Sequence, residues 1–397
     1  MSNLTRFIAL VRAMPRYICA WCMTLCIALC MPCAASAASG TQVYSGTLGK
    51  MPIVLELDFS RKDGIWGRYF YQKYHADLVL SGTLQGQDLE LTEDRNDKRI
   101  SDIPTLHLSP TDNGGWQGVW KDTAGKVLPI ELTPAEIQPP SEKMQPGWQA
   151  IYDTSRYDYL RVQGLPLKAG KVETVMGHTL QWWHEPVSQL SMFEITSGYT
   201  AEQRRRINQQ LRASLWAEVV NYNDCMLGGG HMDASFGETV TPHLLAPGVV
   251  SVGILSGYYC GAHPASSYTA LNFDVKSGKR LTLENVLWVG EGEVLQDSHD
   301  GWEAYRDYRK TQLVPWLINQ LKVIAPRNMK KPANEDDCDF NDPDIWQYAY
   351  WYFTPKGINF APYPDGISHA CEGPEWSVVP YAQIKRKPGD MKLQLPN

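Results

Sequence analysis

Between Thr41 and Thr133 the chain breaks into short runs of alternating apolar and polar residues, each bounded by turn formers. The runs are Gln42–Leu48, Ile53–Phe59, Ile65–Tyr71, Asp77–Leu84, Asp88–Thr92, Thr105–Ser109, Gly115–Trp120 and Val127–Leu132. Between them stand Gly49-Lys50, Lys62-Asp63-Gly64, Gly86-Gln87, Asn113-Gly114 and Ala124-Gly125, the chemistry that hairpins favour. Connections this short join neighbouring strands antiparallel. The spacing therefore predicts an all-β meander rolled into a small barrel, with nothing helical in it. The stretch Pro134 to Pro146, with Pro139-Pro140, is read as a linker over 134–149.

From about Gly147 the pattern changes to mixed α+β. Thr200 and Gln203 form a capping box ahead of a helix expected to end near Val219. Its apolar seam is Ile207, Leu211, Leu215 and Val219, with Arg204, Arg205 and Arg206 on the wet side. A second helix is expected from about Trp302 to Ile324, burying Leu313, Leu317 and Leu321 and kinked at Pro315. Val249–Tyr259 and Ser267–Val275 read as a hairpin, and Trp346–Phe353, Ile358–Pro362 and Trp376–Pro380 as late strands. The fold class is then α+β overall: an N-terminal all-β meander or small barrel at 41–133, followed by an antiparallel sheet packed on helices at 150–390. A length of 397 residues with 43% hydrophobic and 20% charged residues suits two such domains and excludes disorder, collagen and coiled coil.

The first 37 residues have a basic start (Arg6, Arg12, Arg16), an apolar run from Tyr17 to Met31, and small residues at Ala35-Ser36-Ala37. That order describes a secretory signal peptide, with an apolar run too short for a membrane span. Leu29 and Pro32 precede Cys30 and Cys33 where a lipobox wants a small residue. A soluble periplasmic or secreted protein, without a membrane span after cleavage, is the expectation. Losing three arginines leaves 34 basic against 43 acidic residues, a charge of about −9, which argues against phosphate-neutralising nucleic-acid binding. Four cysteines remain: Cys225, Cys260, Cys338 and Cys371. In an oxidising compartment they read as two disulfides. Three connectivities are open; proximity in sequence favours Cys225–Cys260 with Cys338–Cys371.

The hairpin region carries a resemblance. Tyr258-Tyr259-Cys260-Gly261-Ala262-His263-Pro264, then Leu271-Asn272-Phe273-Asp274-Val275-Lys276-Ser277-Gly278-Lys279 and Leu281-Thr282-Leu283, resemble a secreted bacterial domain family of unknown function. Its later signature follows in order: Tyr352-Phe353-Thr354-Pro355-Lys356-Gly357, Pro362-Tyr363, Gly373 and Val379-Pro380-Tyr381. Over roughly residues 150–385 the chain is similar to the extracellular lysozyme-binding domain of the anti-sigma-V factor and to the non-catalytic segment of a secreted peptidoglycan deacetylase. The sigma-binding region and the deacetylase's catalytic domain have no counterpart here, so neither signalling nor metal chemistry is implied. Residues 41–133 share only a pattern seen in other exported proteins.

No GxSxG elbow, P-loop or Rossmann glycine pattern occurs, and no cofactor is expected. His263 is the one catalytic candidate, as a general base, and is also a candidate binding residue as a partner contact; the alternative is a histidine bracing a tight turn. His231 and His243 flank Gly228-Gly229-Gly230, and His369 precedes Cys371, but metal ligands commonly show tighter spacing, so no zinc site is expected. Asp337, Asp339 and Asn341 alternate as calcium-loop ligands do. Asp342 and Tyr348 stand where that loop needs Gly and Glu, which favours a solvated acidic loop stapled by Cys338. Trp182-Trp183, Tyr258-Tyr259 and Tyr348-Tyr350-Tyr352 are possible sugar-stacking rings, set against plain core packing. Carboxylate pairs such as Glu372 and Glu375 carry no glycosidase geometry in sequence alone. The expected function is a non-catalytic envelope binding protein whose partner is a lysozyme-type muramidase or peptidoglycan glycan. The alternatives are an envelope hydrolase using His263 with a carboxylate, and a structural envelope factor without a discrete ligand.

Overall fold

The computed structural model describes residues 40–94, 103–141, 147–229, 234–334, 338–362 and 371–397. The expected signal segment, His231, Asp337, Tyr363 and His369 lie outside these residues.

Strands β1 (Thr41–Leu48), β2 (Met51–Asp58), β3 (Ile65–Tyr71), β4 (Asp77–Gln85), β5 (Asp88–Asp94), β6 (Thr105–Pro110), β7 (Trp116–Lys121) and β8 (Val127–Pro134) form a closed antiparallel barrel in sequence order. Closure comes from β1 pairing with β8, Leu48 opposite Ile130. The period-two alternation fills the interior with Tyr44, Ile53, Leu55, Leu57, Tyr69, Leu80, Leu91, Leu106 and Leu132, all buried. On β2 and β3 the outward residues are buried as well. Val54 and Phe70 pack on Tyr157 beside the buried charged pair Glu56 and Arg68, so these strands are buried on both faces and their alternation is less clean.

What covers them is the second of two helices the sequence reading passed over, α1 (Trp148–Thr154) and α2 (Arg156–Gln163); α1 packs on the neighbouring core instead. Ser155 separates them, accepting a hydrogen bond from the Asp158 amide as the cap of α2. α2 brings Asp158 and Arg161 onto Glu56, Arg68 and Asp77 of the barrel. Arg68 donates to Glu56 at 3.0 Å and to Asp158 at 2.9 Å, and Tyr157 donates to Asp77 at 2.6 Å.

The rest of the chain builds separate small sheets where one sheet was expected. The first contains β9 (Lys168–Val175), β10 (His178–His184) and β11 (Ser191–Ile195), in the order β11-β10-β9. Helix α3 (Ala201–Gly228) has the expected capping box but runs nine residues past Val219. Its last turns carry Cys225, whose partner Cys260 lies on the hairpin; Cys338 pairs with Cys371. The apolar seam of α3 packs between the first sheet and a second one, β12 (Ser235–Leu245), β13 (Val249–Tyr259) and β14 (Pro264–Asp274). β12, unanticipated in sequence, makes the predicted hairpin three-stranded.

After a short α4 (Leu283–Val286), the long predicted helix is interrupted. α5 (Trp302–Tyr308) passes through a π-turn at Arg309–Leu313 into α6 (Val314–Ile324). The wider turn falls just before Pro315, whose ring cannot sit in an unbroken α-ladder. The last sheet is β15 (Tyr350–Thr354), β16 (Gly357–Ala361) and β17 (Val378–Pro380), followed by α7 (Tyr381–Ile384). β15 starts four residues later than expected, because Asp344–Trp346 forms a 3-10 turn. No helix among the described residues is long and apolar enough to cross a membrane.

Candidate functional site

The β12–β13–β14 sheet has two different faces. One presents Val240, Val252, Ile254, Leu271 and Phe273 to α3. The other is crossed by β15, and buried polar groups fix that crossing. The Ser251 hydroxyl donates to Asn272 Oδ1 at 2.6 Å and accepts from the Phe353 amide at 3.2 Å. Asn272 Nδ2 then donates to the Trp351 carbonyl at 3.0 Å. Since Trp351 and Phe353 pack into the core that β15 and β16 build with α4 and α6, the period of two turns Tyr350 and Tyr352 the other way.

There they meet two side chains of the second sheet. His243 is the extra residue of a bulge in β12, between Pro242 opposite Val252 and Leu244 opposite Ser251. A bulge re-aims the side chain it frees. Tyr268 comes from β14, and the strand between them contributes Gly253. A Cβ there would lie 2.3 Å from Tyr268 Oη and 2.4 Å from His243 Nε2, so only glycine lets the two reach each other across β13. They share a hydrogen bond of 2.6 Å. The His243 ring stacks on Tyr352 with centroids 4.0 Å apart, and Tyr268 meets Tyr350 edge-on at 5.7 Å. Burial drives the His243 pKa down to about 4 and pushes the Tyr268 phenol up. At neutral pH the pair is therefore uncharged.

These rings line a cleft of about 370 Å³ together with Leu255, Ser266, Ala361, Pro362 and Glu372. Leu255 is 49% exposed, an apolar side chain left at the mouth. The arrangement offers ring faces and aliphatic carbons on its walls, with serine hydroxyls and a carboxylate among them. Such a surface suits a ligand that is apolar on its faces and hydroxylated on its rim.

The sequence matches no known protein family and no curated protein. A solved structure similar to this chain is that of a DUF3298 family member from Bacteroides fragilis NCTC 9343. The two are 13% identical, the match covers 57% of this chain and 94% of that one, and the TM-score is 0.30. At that similarity the neighbour says nothing about ligand or activity.

The residues singled out in sequence are dispersed. Tyr350 and Tyr352 line the cleft, whereas Tyr348 lies in the turn before β15 and stacks on Trp302 at 5.7 Å. The three tyrosines thus do not share one strand face. His263 is exposed beyond the end of β13, its Nδ1 3.3 Å from the Pro264 carbonyl. Tyr258 stacks on Phe236 at 5.9 Å on the α3 side, and Tyr259 is half-buried at the strand end. Neither Trp182 nor Trp183 is an open platform. Trp182 packs on Phe193 and donates to Glu173, while Trp183 donates to Glu194 beneath Arg212. Asp339 accepts from the backbone amide of Asn341 at 3.0 Å, and Asn341 donates to the Met329 carbonyl, so both serve their own loop. Among the described residues no group of three or more His, Cys, Asp or Glu side chains could hold a metal ion.

Sequence reasoning weighed His243 only as a metal ligand, and it missed Tyr268 and Leu255. The available signal was Gly253 in the interior of β13, since a glycine inside a strand marks a close approach.

Proposed function

We propose that this chain is an exported cell-envelope protein that binds glycan strands without processing them. The observation that carries the reading is the convergence of Tyr268, Tyr350 and Tyr352 with Ser266 and Glu372 in one cleft. Pyranose rings present C–H faces that stack on aromatic faces, and their hydroxyls need hydrogen-bonding groups at the edge. His243, held uncharged against Tyr352, serves this reading as a wall and a brace for Tyr268.

The test is calorimetric titration of the protein with oligomers of N-acetylglucosamine and sedimentation with purified sacculi. Binding is expected to change little with salt, because stacking is not screened. Tyr352→Ala should weaken it by about tenfold, the equivalent of ~1.4 kcal/mol and within the range for aromatic contacts. Release of reducing ends would sink the non-catalytic reading. If a basic lysozyme-type muramidase binds instead, with affinity that falls as salt rises, the acidic surface and not the cleft is the functional element.

A further inference from the structure

We propose that Trp302 and Tyr348 form a second stacking platform, two residues along the chain from the cleft residue Tyr350, and that the ligand is a linear oligosaccharide spanning both. This rests on the glycan reading of the cleft. The two rings are the exposed aromatic pair of this region, 39% and 36% open to solvent, and their planes lie within 12° of each other. Tyr348 is two residues from Tyr350, so their Cα atoms are at most about 7 Å apart.

Both rings are held from below. Trp302 leans on Tyr305 at 6.1 Å, and Arg309 donates to the Tyr305 hydroxyl at 2.6 Å. Arg309 also pairs with buried Glu284 at 2.8 Å and donates to the Gln347 carbonyl at 3.3 Å. The Gln347 amide donates to the Arg306 carbonyl and to the Tyr348 hydroxyl, each at 3.3 Å. A buried ion pair thus ties the turn that carries Tyr348 to the helix that carries Trp302. Side chains that serve only the core would have their faces covered. Here the two rings stack on each other yet stay more than a third open to solvent, while the backbone behind them is locked, which lowers the ordering cost of binding.

The experiment compares affinities for N-acetylglucosamine and its oligomers of increasing length. In the native protein affinity should climb with length. Trp302→Ala should remove that climb, costing the longest oligomers about tenfold, while binding of the shortest ligands stays as in the native protein. Trp302→Phe, which keeps a stacking face, should recover most of it. A loss spread equally over all lengths, or no loss at any length, would overturn the second platform and leave the cleft intact. If no oligomer binds the native protein, the glycan reading falls and this proposal with it.

Discussion

Arg161→Met tests the contact on which the barrel and the following helices depend. The Arg161 side chain is completely buried and pairs with Asp77 of β4 and with Asp158 one turn earlier on α2. Arg68, 9% exposed, stands 3.7 Å from Asp77 and 2.9 Å from Asp158, and it also serves Glu56 and Asp224. Two guanidinium groups therefore face four carboxyl groups. Removing Arg161 leaves Asp77 and Asp158 with one shared cation, in a place water does not reach. Breaking a buried pair from one side costs about 3–5 kcal/mol, and methionine keeps most of the stem's packing, so the electrostatic part dominates. Urea unfolding at neutral pH should show that loss. Adding Asp77→Asn should return part of it, with a coupling of about 0.5–3 kcal/mol. Against the upward push of its burial, Arg161 and Arg68 hold the Asp158 carboxyl below its ordinary value. That contribution is complete above the unfolded pKa and disappears as pH falls through the lowered one, so the acid limb of stability should flatten in the variant. A loss under about 1 kcal/mol, or strict additivity in the double variant, would refute a coupled buried cluster.

Gly253→Ala should separate His243 from Tyr268 and reduce glycan binding while circular dichroism keeps its native form, because a methyl group falls within 2.4 Å of both polar atoms. Glu238 has both carboxylate oxygens buried without hydrogen-bond partners, and burial followed by repulsion from Glu218 raises its pKa from the ordinary 4.5 to about 8. The folded chain keeps a proton that the unfolded chain releases across that window, so stability should fall as pH rises through it, and thermal melts of Glu238→Gln should lack that fall. Replacing Cys225 and Cys260 by alanine opens a link across 35 residues and should cost about 4 kcal/mol in the chain-entropy account, measured by denaturant unfolding; no change in the midpoint would contradict it.

The barrel was legible in sequence because its information is local. A strand alternates where one face is wet, and a hairpin announces itself with Gly or Asn at the turn, so Ile65–Tyr71 was read to the residue. The hairpin Val249–Tyr259 and the cap at Thr200 were equally local. Boundaries slipped where tertiary contacts override propensity. α3 continues past Val219 because its last turns are tied by Cys225 to the hairpin, and β12 was invisible because Pro242 sits inside it and the bulge at His243 breaks its alternation. The cleft lay beyond sequence altogether. It needs a bulge to turn His243, a glycine to clear its path, and a strand from about a hundred residues later to lay Tyr350 and Tyr352 beside Tyr268. Local pattern decides which face a side chain takes on its own element. Only the packing of one sheet across another decides which faces meet.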